Sequence, residues 1–278
     1  MSAGNRPMQP TNPIEAVFLD WDGTLLDSFE ADSAAYLEMF QAMGIRWGRE
    51  DMARHYSPDW YNVYRAARLD PQRWREADRI WRQAYGRHSP KLVAGARDVL
   101  WKLLRSYRLG LVTSGNRSRV TGQLRYFGLT SLFTACVCHE DAGRPKPHPE
   151  PLRLALRKLG RAAASSVYVG DSAEDMEMAR RAGVRSIGIP GSFPTAKRLR
   201  ASQPDALLAS LLRLPALLEE WTGNRDRLLT LPGKPGAAPF RRREAGPPAY
   251  NAPFPNVRRS PVLKSMSLLL IGGGGLLT

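Results

Sequence analysis

Five short apolar runs, each followed by a turn of small or polar residues, constrain this chain more than any other feature. They lie at 16–20, 109–113, 134–138, 167–170 and 185–189. The segments between them, at 96–106, 118–127, 149–159 and 173–182, carry apolar residues at helical spacing. Gly128, Gly160 and Gly183 stand where three of those helices would close. Repeated strand–helix units predict a parallel sheet with helices on both faces, a doubly wound α/β core of Rossmann-like type. In such sheets ligands bind beyond the carboxyl ends of the strands, so the chemistry is sought there.

One interval breaks the alternation. Residues 29–91 show no strand pattern but four amphipathic stretches, predicting helices at 31–43, 49–56, 60–68 and 71–85. This predicts a helical insertion, a cap on the core, after the first strand. It holds Trp47, Trp60, Trp74 and Trp81, whose helical spacing reads as bundle core rather than as a substrate platform. A final helix over 206–221 is expected to close the core. The expected organisation is an N-terminal extension at 1–13, the α/β core at 14–29 and 92–221, the cap at 30–91 and a tail at 222–278.

Composition separates the tail from the rest. The 278 residues carry a net charge of +15. From Thr222 onward nine Lys or Arg face only Asp226 and Glu244, leaving the tail at +7. It also holds eight of the 22 prolines and eight of the 24 glycines, so it is expected to be largely disordered. Its Arg241-Arg242-Arg243 run would suit nucleic acid or an anionic membrane. No aromatic interleaving accompanies it, so a solvated tail is the favoured reading. No apolar run before the first strand resembles a signal peptide, and the apolar stretch at 268–271 is too short to span a bilayer. Two cysteines fit a reducing compartment. A cytoplasmic location is expected.

Four strand ends carry the chemistry. The first runs into Asp20-Trp21-Asp22-Gly23-Thr24. Two carboxylates two residues apart can converge on one site, one attacking phosphorus while the other handles protons. Gly23 allows the sharp turn this requires. The second, Thr113-Ser114-Gly115-Asn116, offers hydroxyls and backbone N–H groups to a phosphate oxygen, though alone it is ordinary turn chemistry. In the third, Lys146 lies between Pro145 and Pro147, which keep it in a stiff loop. Such a lysine can neutralise a phosphoryl transition state. Only seven of the 41 basic residues are lysines, so a merely solvated cation would more often be arginine. The fourth is Gly170-Asp171-Ser172-Ala173-Glu174-Asp175. Carboxylates beside a phosphate site are what Mg²⁺ needs. Ser172 and Asp175 also have the spacing of a capping box, which needs no metal.

In this order, over about residues 14–221, the four elements resemble the haloacid dehalogenase superfamily of phosphohydrolases. The resemblance implies Asp20 as nucleophile, Asp22 as general acid/base, and Thr113 and Ser114 as phosphate ligands. It implies Lys146 as neutraliser of phosphate and nucleophile. It places Mg²⁺ at Asp20, Asp171 and Asp175, with the backbone carbonyl of Asp22. No motif residue departs from the family pattern. Asp22 argues against a halide-removing relative, which would lack it. The strings Lys146-Pro147-His148-Pro149-Glu150 and Val169-Gly170-Asp171-Ser172 look most like the phosphoglycolate phosphatase branch. A phosphomutase of the same family is the alternative, differing in the cap.

The expected partner is a small phosphorylated metabolite, and no obligate protein partner is inferred. Arg54 and His55 precede a break at Ser57-Pro58, where a cap loop could bring them to a substrate carboxylate. Cys136 and Cys138 read as core residues of a buried strand rather than as zinc ligands.

Overall fold

The computed structural model describes residues 13–222. The tail beyond Thr222 and the extension before Pro13 lie outside the described residues. A six-stranded sheet, all parallel, has the order β5-β4-β1-β6-β7-β8. Its strands are β1 (Ala16–Leu19), β4 (Arg108–Val112), β5 (Ala135–Val137), β6 (Ser166–Gly170), β7 (Arg185–Gly188) and β8 (Ala206–Leu207). The chain leaves β1 to build β4 and β5 on one side, then crosses to β6 on the other. The crevice beyond β1 is therefore the switch point where such sheets bind ligands.

Alternation along β1 sets the two layers. Val17 and Leu19 belong to a core shared with α5 (Ala96–Leu103), α6 (Arg117–Tyr126) and α10 (Leu214–Thr222). Ala16 and Phe18 face the opposite core, with α7 (Glu150–Leu159) and α8 (Ala173–Ala182). All four of these strand residues are fully buried. Each large side chain so placed stabilises the fold by roughly 1.5–3 kcal/mol through burial.

The cap comprises α1 (Phe29–Ala42), α2 (Arg49–His55), α3 (Trp60–Ala66) and α4 (Trp74–Tyr85). Its own core gathers Met39, Phe40, Met52, Val63 and Tyr64, with Trp47, Trp60, Trp74 and Trp81 packed against it. At its base a short antiparallel pair, β2 (Leu26–Asp27) with β3 (Lys91–Leu92), ties the outgoing chain to the returning one. The sequence pattern did not suggest this pair, because two residues are too few for a period.

The expected helix over 206–221 is corrected. Its first residues form β8, followed by a 3₁₀ turn (Leu211–Arg213) and then α10. The Asp205 carboxylate accepts from the Ser186 backbone N–H at 2.7 Å and from its hydroxyl at 2.9 Å. That pins the chain extended alongside β7, where Ile187 and Gly188 pair with Ala206 and Leu207. One further helix, α9 (Ala196–Ala201), had no sequence expectation. Among the described residues no helix is long and apolar enough to cross a membrane.

Candidate active site

The backbone N–H of Asp20, directly beyond β1, donates to the Val169 carbonyl at 2.9 Å, which keeps the chain extended past the strand. The turn then folds back, with the Leu25 N–H on the Trp21 carbonyl and the Gly23 N–H on the Leu26 carbonyl. Gly23 has φ +81°, and a Cβ there would collide with the Asp171 carboxylate and the Phe193 ring. The turn is thus pressed against the fourth motif. Trp21 anchors it from below, buried and donating from Nε1 to Gln123 Oε1 at 2.8 Å.

Lys146 joins the first and fourth motifs. Its Nζ donates to Asp20 Oδ1 at 2.8 Å and to Asp175 Oδ1 at 2.7 Å, with the lysine side chain only 3% exposed. Asp175 does more than cap its helix. The capping box with Ser172 is present, yet its other oxygen faces Lys146 and the Tyr168 hydroxyl, 2.9 Å away. Asp171 follows β6, and its carbonyl accepts from Thr195 Oγ1 at 2.7 Å. Carboxylate oxygens of Asp20, Asp171 and Asp175 lie within 4.8 Å of one another, all in buried residues.

The electrostatics of this cluster ask for a cation. Burial pushes the Asp20 carboxyl up to about 7; the Lys146 ammonium opposes that and the Asp175 charge adds to it. Burial, then the charges of Asp175 and Asp20, raise Asp171 well above the usual carboxylate range. Burial would lower Lys146, but Asp175 and Asp20 hold it above the usual range. With all three carboxyls ionised, one ammonium would leave two negative charges uncompensated. A divalent ion with a preference for hard oxygen donors fits that deficit and that donor set.

Asp22 sits differently. Arg119 grips it as a fork, Nη2 to Oδ2 at 2.6 Å and Nη1 to Oδ1 at 2.9 Å. Ser28 Oγ adds a third donor at 2.8 Å. Burial would raise this carboxyl, but the Arg119 charge and hydrogen bonds, aided by Ser28, bring it below the usual range.

Thr113 and Ser114, beyond β4, line the same cavity of about 300 Å³ as Asp20, Lys146 and Asp171. Thr113 Oγ1 accepts from the Gly115 N–H at 3.0 Å, which orders the loop. The cap closes the cavity from above. Tyr56 packs on Phe193 at 4.6 Å between ring centres, and Trp60 on His139 at 4.2 Å.

Arg54 and His55 are not brought to the cavity. Both are exposed, and His55 stacks on Trp47 at 5.3 Å. The break after α2 does reach inward, but it delivers Tyr56, Ser57 and Pro58. Sequence reasoning also missed Arg119, Asp32 and His139 in the cavity wall. A signal for Arg119 was present: it lies in the first turn of the helix that starts at the second motif. The sulfurs of Cys136 and Cys138 lie 3.7 Å apart, with Cys138 buried and Cys136 half-buried.

The model of the haloacid dehalogenase-like hydrolase family matches residues 17–189. The chain belongs to that family. Within it, pyrophosphatase PpaX of Bacillus pumilus is 30% identical over 210 residues, 74% of this chain and 96% of the relative. The solved structure of CbbY from Rhodobacter sphaeroides in complex with phosphate is 27% identical, covering 72% of this chain and 96% of that one, with a TM-score of 0.62. A predicted phosphoglycolate phosphatase from Haemophilus somnus shares the fold at 20% identity and a TM-score of 0.67, covering 74% of this chain and 99% of that one. Asp20, Thr113, Lys146 and Asp171, one from each of the four sequence motifs, line one cavity.

Proposed function

We propose that this chain is a magnesium-dependent phosphatase acting on a small phosphate ester, with Asp20 as the nucleophile. The observation that carries the reading is the position of Asp20, beyond β1 at the floor of the cavity and 2.8 Å from Lys146 Nζ. It shares a buried acidic cluster with Asp171 and Asp175. Asp20, Asp171 and Asp175, with the Asp22 backbone carbonyl, would hold Mg²⁺, which when bound supplies charge neutralisation to the phosphoryl oxygens.

The chain's own residues divide the work. An Asp20 oxygen attacks phosphorus as the bond to the leaving oxygen breaks, giving an aspartyl phosphate. Asp22, entering this step in its protonated form, passes that proton to the leaving oxygen. Asp22 then takes a proton from the water that attacks the aspartyl phosphate, releasing inorganic phosphate and restoring Asp20. Thr113 and Ser114 hold a phosphoryl oxygen, and Lys146 offsets the charge that gathers there. The cap, with Tyr56 and Trp60 against the core, shields the site from bulk water.

The phosphoglycolate-like reading of the substrate rests on the motif strings and on fold likeness. Names among the relatives also support a pyrophosphate substrate. A phosphomutase would use the same residues and return the phosphoryl group to its product. Release of inorganic phosphate from p-nitrophenyl phosphate, 2-phosphoglycolate and pyrophosphate, with Mg²⁺ and with chelator, tests the reading. Magnesium-dependent release from at least one is expected. No release from any would overturn it.

A further inference from the structure

Asp22 is occupied before any substrate arrives. The Arg119 fork and Ser28 account for three hydrogen bonds to its carboxylate. The pair is shielded, with side chains 12% and 22% exposed. Arg119 lies over the Tyr85 ring at 5.1 Å, and Nη1 also approaches Gln123 Oε1 at 3.2 Å. Its Nε–H is buried with no hydrogen-bond partner, so this pose leaves one donor uncompensated. An arrangement that serves a general acid/base by immobilising it needs a way to release it.

We infer that Arg119 is a specificity-determining residue that receives a second anionic group on the substrate's leaving side, a carboxylate or a further phosphoryl group. Asp22 stands in for that group while the site is empty. The inference rests on the phosphatase reading and narrows its substrate class.

Three observations carry it. A guanidinium fork is shaped for the paired oxygens of a carboxylate or phosphate, the same geometry it now makes with Asp22. An anion arriving from the substrate competes for that fork. Winning it frees the Asp22 carboxylate to turn towards the phosphoryl centre, so leaving-group recognition and readiness for proton transfer are coupled.

The second observation is the charge around the cavity. Asp78 and Glu140 line its wall and disfavour an anion beside them. Arg119 and Arg82 are the arginines that line it among the described residues. Beyond Lys146, a second negative charge therefore meets a cation at Arg119, beside Asp22, or at Arg82.

The third is room to move. Arg119 and Arg82 also line a second cavity of about 340 Å³, bounded by Tyr85, Tyr126 and Phe127. Arg119 thus stands in the wall between two open volumes. Its fork therefore has open volume beside it into which it can shift.

The test compares propyl phosphate, which has no second anionic group, with 2-phosphoglycolate and inorganic pyrophosphate, in wild type, Arg119→Gln and Arg119→Lys with Mg²⁺. Wild type is expected to favour the two substrates with a second anionic group in kcat/KM by about 10–100-fold, the scale of a well-placed charge-assisted pair. Arg119→Gln should collapse that preference to within about threefold, mainly through KM for those two substrates, while Arg119→Lys keeps part of it. Matched thermal unfolding of the variants shows that the fold is kept. A uniform loss on all three substrates with KM unchanged would overturn the inference, leaving Arg119 to order Asp22 alone. So would a wild type with no preference.

Binding separates this inference from the phosphatase reading. On the Asp20→Asn background, 2-phosphoglycolate should bind at least about tenfold more tightly than propyl phosphate, and adding Arg119→Gln should remove the difference. Equal binding overturns the role of Arg119 whatever the turnover. Absent turnover with the binding preference intact overturns only the phosphatase reading.

Discussion

Lys146 Nζ bridges Asp20 and Asp175, at 2.8 and 2.7 Å, and so ties the proposed nucleophile to the first turn of α8. One buried ammonium serves two buried carboxylates from different strand ends. Replacing Lys146 with Met leaves both without their cation, a change that costs roughly 3–5 kcal/mol when a buried pair is broken. Lys146→Met is expected to lower the unfolding midpoint and abolish turnover. Added Mg²⁺ should recover part of the stability and none of the turnover. Denaturant unfolding with and without Mg²⁺ measures this, and unchanged stability would contradict the bridge.

Magnesium should stabilise the protein more at high pH than at low. Burial, with the Asp175 charge, holds Asp20 at about 7 in the metal-free protein, against an ordinary 3.8. The folded form therefore keeps a proton that the unfolded chain has already released. Its contribution to stability is complete below about pH 4 and is lost as pH rises through about 7. Magnesium requires the ionised carboxylate and so acts most where that loss is largest. Thermal unfolding at pH 5.5 and pH 8 should show the larger magnesium-induced rise at pH 8. Equal rises would place the metal elsewhere.

Asp22→Asn should slow the reaction by about 10²–10⁴-fold, the usual scale for losing a general acid/base. Aryl phosphates, whose leaving oxygens need little protonation, should lose less than alkyl phosphates. Rates on p-nitrophenyl phosphate and propyl phosphate measure this. Identical losses would assign Asp22 to positioning alone.

Asp32, on α1 in the cavity wall, gives a stability prediction away from the metal cluster. Burial and then the Asp22 charge push its carboxyl up to about 8, with Arg119 opposing. Its stabilising contribution is present below about pH 4 and is lost as pH rises through about 8. Asn has no proton to lose. The thermal midpoint of Asp32→Asn relative to wild type should climb between pH 4 and pH 8. A constant difference would show that the carboxyl is not held up.

The strands that carry chemistry were legible because a buried parallel strand ends abruptly in polar residues, as Leu19 does before Asp20 and Gly170 before Asp171. The fit of Asp20, Lys146, Asp171 and Asp175 to one point depends on strand order, which local patterning does not encode. Arg119 shows the same limit. It meets Asp22 from 97 positions away, and its place in the first turn of α6 is shared with Arg117. Arg54 and His55 were singled out for their place before a break, yet the direction of the last turn of α2 sends them to solvent. Residues 206–221 carry an apolar pattern that suits a helix. Pairing with β7 and the hold of Asp205 on Ser186 outweigh that local preference.

The central claim is covalent transfer to Asp20, and chemical trapping tests it most directly. Borohydride reduces an acyl phosphate to an alcohol, so quenching during turnover should convert Asp20 to homoserine, visible by peptide mass spectrometry. The account predicts that change at position 20 only when substrate and Mg²⁺ are both present, and no turnover by Asp20→Asn. Unmodified Asp20 in a turning-over enzyme, or substantial turnover by folded Asp20→Asn, would contradict it.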